Sequence, residues 1–145
     1  RQRQMCIRDR LQRLENINNH ILEISQYSTG LIEQYVVKLK DRIKEIMQTD
    51  LIDEARISQE VVLYADKTSI EEEITRLKSH ITQFRELLQS ESVKKTGKRL
   101  DFIIQEMNRE INTIGSKSNC LEITNLVIEL KTELEDVREQ VQNIE

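Results

Sequence analysis

The chain has 145 residues, a formal net charge of −4, no Pro, no Trp and only three Gly. Charged residues make up 33% and aromatics 3%, which disfavours a β-rich fold, built on Gly, Pro and aromatics, and favours helices. The acidic balance excludes a general nucleic-acid coat and leaves room for a local basic site. No run of about 18 apolar residues exists to cross a membrane.

Cys6 and Cys120 lack the paired spacing of a disulfide framework or a zinc site, which places the chain in a reducing cytoplasm. The chain opens on Arg1 rather than Met, as a fragment of a longer protein would. Its first ten residues, RQRQMCIRDR, resemble the translated remnant of a sequencing adaptor. Residues 1–10 are therefore set aside as non-native, and residues 11–145 are read as one helical domain.

The first predicted helix runs over residues 11–48. Leu11, Leu14, Ile21, Leu31, Tyr35, Leu39, Ile43 and Ile46 follow one drifting stripe, with a weak point at Thr29 and Gly30. Thr49 and Asp50 suit a turn. Asp53 is placed to cap a second helix that reaches Ala65, with Ile57, Val61 and Tyr64 inward. Ser69 and Glu72 have capping-box spacing. The third helix then carries Ile70, Ile74, Leu77, Ile81, Phe84 and Leu88, whose alternating four-three steps make a coiled-coil seam. Residues 90–96 read as a polar connection.

The fourth helix, over residues 97–114, is the most informative. Leu100, Ile103, Ile104, Met107, Ile111 and Ile114 form its apolar stripe. At about 100° per residue, Asp101, Gln105, Asn108 and Asn112 fall on a narrow polar stripe beside it. Glu106, Glu110 and Thr113 lie on the opposite flank, with Arg109 between. Gly115, Ser116, Lys117 and Ser118 are read as the break that ends this helix. Asn119 with Glu122 can restart the chain by the same capping logic, and the last helix carries Val127, Leu130, Leu134, Val137, Val141 and Ile144. The expected fold is all-α, about five helices in long antiparallel hairpins that build an elongated bundle.

Glu106 and Glu110 are four residues apart, so both carboxylates can face one point and hold a divalent cation, with water and phosphate completing its shell. The same spacing occurs in merely solvated acids, and amide stripes also make interhelical hydrogen bonds. Lys94, Lys95, Lys98 and Arg99 gather cations where the helix dipole disfavours them; they suit either a phosphate backbone or a solvated loop. The segment around Lys117 is not a phosphate-binding loop, because Ser116 separates Gly115 from Lys117 and a helix precedes it. Lys117 and the N–H groups opening the last helix can still bind an anion. His80 and His20 read as structural or surface residues, Cys120 as an incidental small one.

The runs LDFIIQEMNREINTIGSKS and EITNLVIELKTELEDVREQVQNIE closely resemble the C-terminal domain of the YicC family of bacterial endoribonucleases. ARISQEVVLYADKTSIEEEITRLKSHITQFRELL fits the same family in order and spacing, and VQNIE matches its ending. The resemblance implies a cytoplasmic, metal-dependent, RNA-cleaving protein that assembles into homo-oligomers. It also implies an N-terminal α/β domain that this chain lacks. The family-typical positions present are Asp101, Gln105, Glu106, Asn108, Arg109, Glu110, Asn112, Ser116, Lys117 and Ser118. On this reading Glu106 and Glu110 hold Mn²⁺ or Mg²⁺ and, with Asn108 and Arg109, form the catalytic set. Lys98, Arg99, Gln105, Asn112 and Lys117 contact RNA by shape and backbone, since no aromatic stacking platform is evident. The alternative is a non-catalytic helical oligomerisation module, supported by the seams at 70–88 and 127–144.

Overall fold

A computed structural model describes residues 2–48, 51–89 and 93–142, with side chains for all of these but 2–7 and 93–96. The described residues form six helices and no strand: α1 (Gln2–Thr29), α2 (Leu31–Met47), α3 (Glu54–Thr68), α4 (Glu71–Gln89), α5 (Val93–Lys117) and α6 (Leu121–Gln142). The predicted turn at Thr49 and Asp50, the start of the 90–96 connection and the seam residue Ile144 lie outside them.

Four helices close into a ring in the order α1, α4, α5, α6, each packed on the next and α6 back on α1. All neighbours run antiparallel. Arg13 meets Asp136 while His20 meets Glu129, so α1 ascends as α6 descends. Glu73 meets Lys117 while Arg76 meets Glu110, so α4 and α5 are likewise opposed. One end of the bundle therefore gathers the end of α1, the start of α4, the end of α5 and the start of α6.

The core is aliphatic, with Phe84 the one aromatic among the buried residues described. All six apolar residues of the predicted α5 stripe are buried, from Ile111 at 0% exposed to Ile103 at 7%. The α4 seam is buried throughout, and so are Val127, Leu130, Leu134, Val137 and Val141 of α6, joined by Ile123 and Leu126. Around this core run partly exposed ion pairs such as Arg13 with Asp136 (3.1 Å) and Arg85 with Glu15 (3.5 Å), each a minor contributor to stability.

The chain breaks at Gly30, as the weak point there predicts, and this raises the helix count to six. Just before it Ser28 Oγ and Thr29 Oγ1 donate to the carbonyls of Ser25 and Gln26 (3.0 and 2.8 Å). Such back-bonding bends helices, and glycine has the lowest propensity to continue one after proline. The second half of the predicted stripe consequently leaves the bundle. α2 has no buried residue, and α3 has only Ile57. The two form a side hairpin in which Tyr35 and Tyr64 stack and Lys40 approaches Glu54 (3.5 Å).

Asp53 caps α3 as expected, its Oδ1 accepting from the backbone N–H groups of Ala55 and Arg56 (3.1 and 3.4 Å). The capping box at Ser69 is not made. Glu72 turns instead to Arg76 (3.6 Å), and the Ser69 carbonyl accepts from Lys117 (3.1 Å). Gly115 does not end α5. It lies inside the helix at its contact with α6, where an added Cβ would meet Val127 at 3.4 Å. A side chain much larger than methyl would push the two helices apart there.

Candidate functional site

The outward side of α5 is the polar stripe read from the sequence. Gln105, Asn108, Arg109, Asn112, Thr113 and Ser116 line a shallow depression of about 530 Å³. They share it because each lies three or four residues from the next while the opposite face of the helix is committed to the core. Gln105 Nε2 donates to Asp101 Oδ2 (3.4 Å), and Asp101 approaches Arg138 of α6 (3.6 Å). Thr113 and Ser116 satisfy carbonyls of their own helix. Asn108 and Asn112 have no hydrogen-bond partner among the described residues. The Arg109 side chain is 76% exposed, and its one ion pair among the described residues is with Glu106, at 3.8 Å.

The two acids of the predicted pair occupy different surroundings. Glu106 is half-buried beside Arg109. Glu110 is buried and faces α4, where its Oε1 accepts from Arg76 Nε at 2.7 Å. That hydrogen bond, against desolvation and with the charges of Glu110, Glu73 and Glu72, raises the Arg76 guanidinium further above its usual pKa. As metal donors, the two carboxylates suit a hard cation, which takes oxygen ligands and fills its remaining positions with water and phosphate. Glu106 offers the more open group, whereas Glu110 shares one oxygen with Arg76. Among the described residues no group of three or more His, Cys, Asp or Glu side chains is placed to hold a metal ion.

A third acid, not singled out from the sequence, completes the network. Glu73 of α4 is only 2% exposed. Its Oε1 accepts from Lys117 Nζ at 2.7 Å and lies 3.7 Å from Arg76, while its Oε2 is buried without a hydrogen-bond partner among the described residues. Burial pushes this carboxyl up. The Lys117 hydrogen bond, the backbone bond and the charges of Lys117 and Arg76 outweigh burial and hold it below the usual carboxylate range. Its one signal in the sequence is position. Glu73 lies three residues after Ile70 and four before Leu77, on the margin of the α4 seam, and His80 follows it by one heptad.

Lys117 thus belongs to this network as well as to the α5–α6 corner. The structure does not bring Lys98 and Arg99 to it. They lie at the other end of α5, about 28 Å away along the axis at 1.5 Å per residue. There, with Phe102, they line a separate open groove of about 510 Å³ against α4. The side chains of Lys94 and Lys95 lie outside those described. His20 Nε2 pairs with Glu129 at 3.0 Å, which accounts for its place in α1. Cys120 donates to Glu122 Oε2 (3.0 Å), and this bond holds the Glu122 carboxyl below its usual range.

Residues 24–145 match the family described as endoribonuclease YicC-like, C-terminal. The chain is 53% identical over 135 residues to a protein of Clostridioides difficile named probable endoribonuclease YicC, covering 92% of this chain and 45% of that protein. It is 33% identical over 134 residues to a protein of the same name from Haemophilus influenzae, again over 92% of this chain and 45% of the relative. The chain therefore spans less than half the length of these relatives. On these matches, and on the helical bundle that carries them, the chain belongs to the YicC-like endoribonuclease family and represents its C-terminal domain.

Proposed function

We propose that this domain presents RNA to the phosphodiester-cleaving centre of an endoribonuclease, with the outward side of α5 as the RNA-facing element. The observation that carries this reading is the pair of unpartnered amides, Asn108 and Asn112, beside the exposed Arg109 in one depression. A helix face used only for packing would be apolar or satisfied. This one offers amide donors and acceptors beside a guanidinium, the chemistry that contacts ribose hydroxyls and phosphates.

In this reading Arg109 takes a phosphate oxygen, and Gln105, Asn108 and Asn112 hold ribose hydroxyls and water. Lys117 adds the N–H that Glu73 and the Ser69 carbonyl leave over. Glu106 and Glu110 are the carboxylates that would hold Mn²⁺ or Mg²⁺. Such an ion would supply positive charge to the phosphate and its leaving oxygen. Lys98 and Arg99 would follow the backbone of a longer RNA toward the far end of α5. The names of the relatives support an RNA substrate for the whole protein. No described helix is long and apolar enough to cross a membrane.

A second, compatible reading is self-association. α2 has no buried residue and exposes Val37, Ile46 and Met47 by 60–66%, apolar surface that contact with another copy of the chain would cover. Incubating the chain, and a full-length relative, with hairpin RNA and Mn²⁺ or Mg²⁺ tests the first reading. Chelator-sensitive cleavage or binding that Arg109→Ala weakens supports it. RNA turnover indifferent to both chelator and Arg109 refutes it, and oligomerisation without RNA binding selects the second.

A further inference from the structure

At the bundle end that gathers the α5–α6 corner, the side hairpin leans over the start of α6 and encloses a pocket of about 420 Å³. Tyr35 of α2 and Tyr64 of α3 border it, their rings parallel within 2° and 3.8 Å apart. Each ring covers one face of the other, so the pair leaves an outer aromatic face free for stacking, in a chain whose sequence suggested none. Three polar residues line the same pocket: Gln34, Lys38 and Asn119. None of the three has a side-chain hydrogen bond or ion pair among the described residues, whereas Lys40, two residues on, is paired with Glu54. The fourth polar group, Glu122, uses Oε2 for the Cys120 thiol. The pocket begins three residues after Ser116, which lines the α5 depression. A polymer lying along α5 reaches it by crossing one helix corner.

We infer that this pocket receives one unpaired nucleotide of the RNA, its base stacked on the outer face of the Tyr35–Tyr64 pair and its phosphate at Lys38. Stacking on a tyrosine face is tolerant of sequence, because every base has a π-face. The amides of Gln34 and Asn119 and the carboxylate of Glu122 line the base edge, where a carboxylate accepts from base N–H groups. Its charge keeps phosphate on the Lys38 side. The inference rests on the RNA reading above and adds to it a demand for single-stranded RNA next to the held segment.

The chain has no Trp and three Tyr, so its own emission reports on the site once Tyr27→Phe removes the remaining tyrosine. Two labelled hairpins, one blunt and one with a short single-stranded overhang, are titrated into the full chain. Anisotropy follows binding anywhere, and tyrosine emission follows the pocket. The overhang should tighten binding by roughly five- to a hundred-fold, the range of one base–aromatic stack, and quench emission. Tyr35→Leu or Tyr64→Leu should abolish that preference and leave blunt-hairpin affinity unchanged, while Tyr35→Phe retains it. Lys38→Gln should weaken overhang binding and lower its salt dependence by about one ion. Equal binding of the two hairpins, or a preference that survives Tyr35→Leu in a variant whose helical signal and melting are intact, overturns the inference and leaves the RNA reading standing. Failure of both hairpins to bind overturns the two together.

Discussion

Lys117→Met isolates the buried Glu73 carboxylate. In the native protein that carboxylate, 2% exposed, has Lys117 Nζ at 2.7 Å and Arg76 at 3.7 Å as its side-chain cations. Removing one partner of a fully buried pair costs about 3–5 kcal/mol, because the other charge stays in low dielectric. Here the Lys117 side chain is 33% exposed and Arg76 remains, so solvent and the second cation reduce the expected cost to about 2 kcal/mol. For a chain of this size that corresponds to a fall of about 4–8 °C in melting temperature. The loss also has a pH signature. Native Glu73 has a lowered pKa, so its contribution is present above the unfolded carboxyl value and fades as pH falls through the lower folded one. Without Lys117, its hydrogen bond and its charge no longer oppose burial, and the carboxyl rises from its native value. The deficit should thus be largest at neutral pH and shrink toward pH 4, and adding Glu73→Gln should restore much of it. Urea unfolding followed by far-UV circular dichroism at several pH values measures this. A variant as stable as the parent at pH 7, or a deficit that stays constant with acidification, refutes the reasoning.

Met107, 0% exposed on α5, should cost about 2–5 kcal/mol on truncation to Ala, read by the same unfolding assay. Glu106→Gln should remove metal-dependent RNA cleavage while leaving the melting temperature intact, since Glu106 is half-buried and only loosely paired. Glu110→Gln should lower both, because it also weakens the 2.7 Å bond to Arg76; cleavage and melting assays in parallel separate the two effects. Gly30→Ala should stabilise the chain by about 0.5–1 kcal/mol, because Gly30 has helical φ and ψ (−89°, −9°) and open space for a Cβ. A loss of stability by thermal melting would contradict that. Arg109→Ala should weaken RNA binding in a filter or anisotropy assay and change stability by less than about 0.5 kcal/mol, as a largely exposed side chain does.

The α5 stripe was legible because it needs only local information: six apolar residues at helical spacing can be buried together in one way. The same holds for the α4 and α6 seams and for Asp53 as a cap. Gly115 misled because its propensity says stop, whereas its tertiary role is to let α5 approach Val127. The two acids on the flank of α5 were visible, but the partner of Glu110 was not, since Arg76 lies 34 residues upstream on another helix. Glu73 is 44 residues from Lys117, and nothing local marks either as half of a buried pair. Tyr35 and Tyr64 each continue an apolar stripe and so read as core. Only the break at Gly30, which carries α2 out of the bundle, turns them toward each other.

That departure divides the chain energetically. A ring of four helices with a shared aliphatic interior unfolds cooperatively, whereas α2 and α3, with Ile57 their one buried residue, have little to lose by opening. Their amides should exchange with deuterated solvent long before those of α4 to α6, as in a separate foldon of low protection. A single two-state midpoint then describes the ring and not the hairpin. The tyrosine-lined pocket can gape and reclose, admitting its guest, at no expense to the scaffold that supports it.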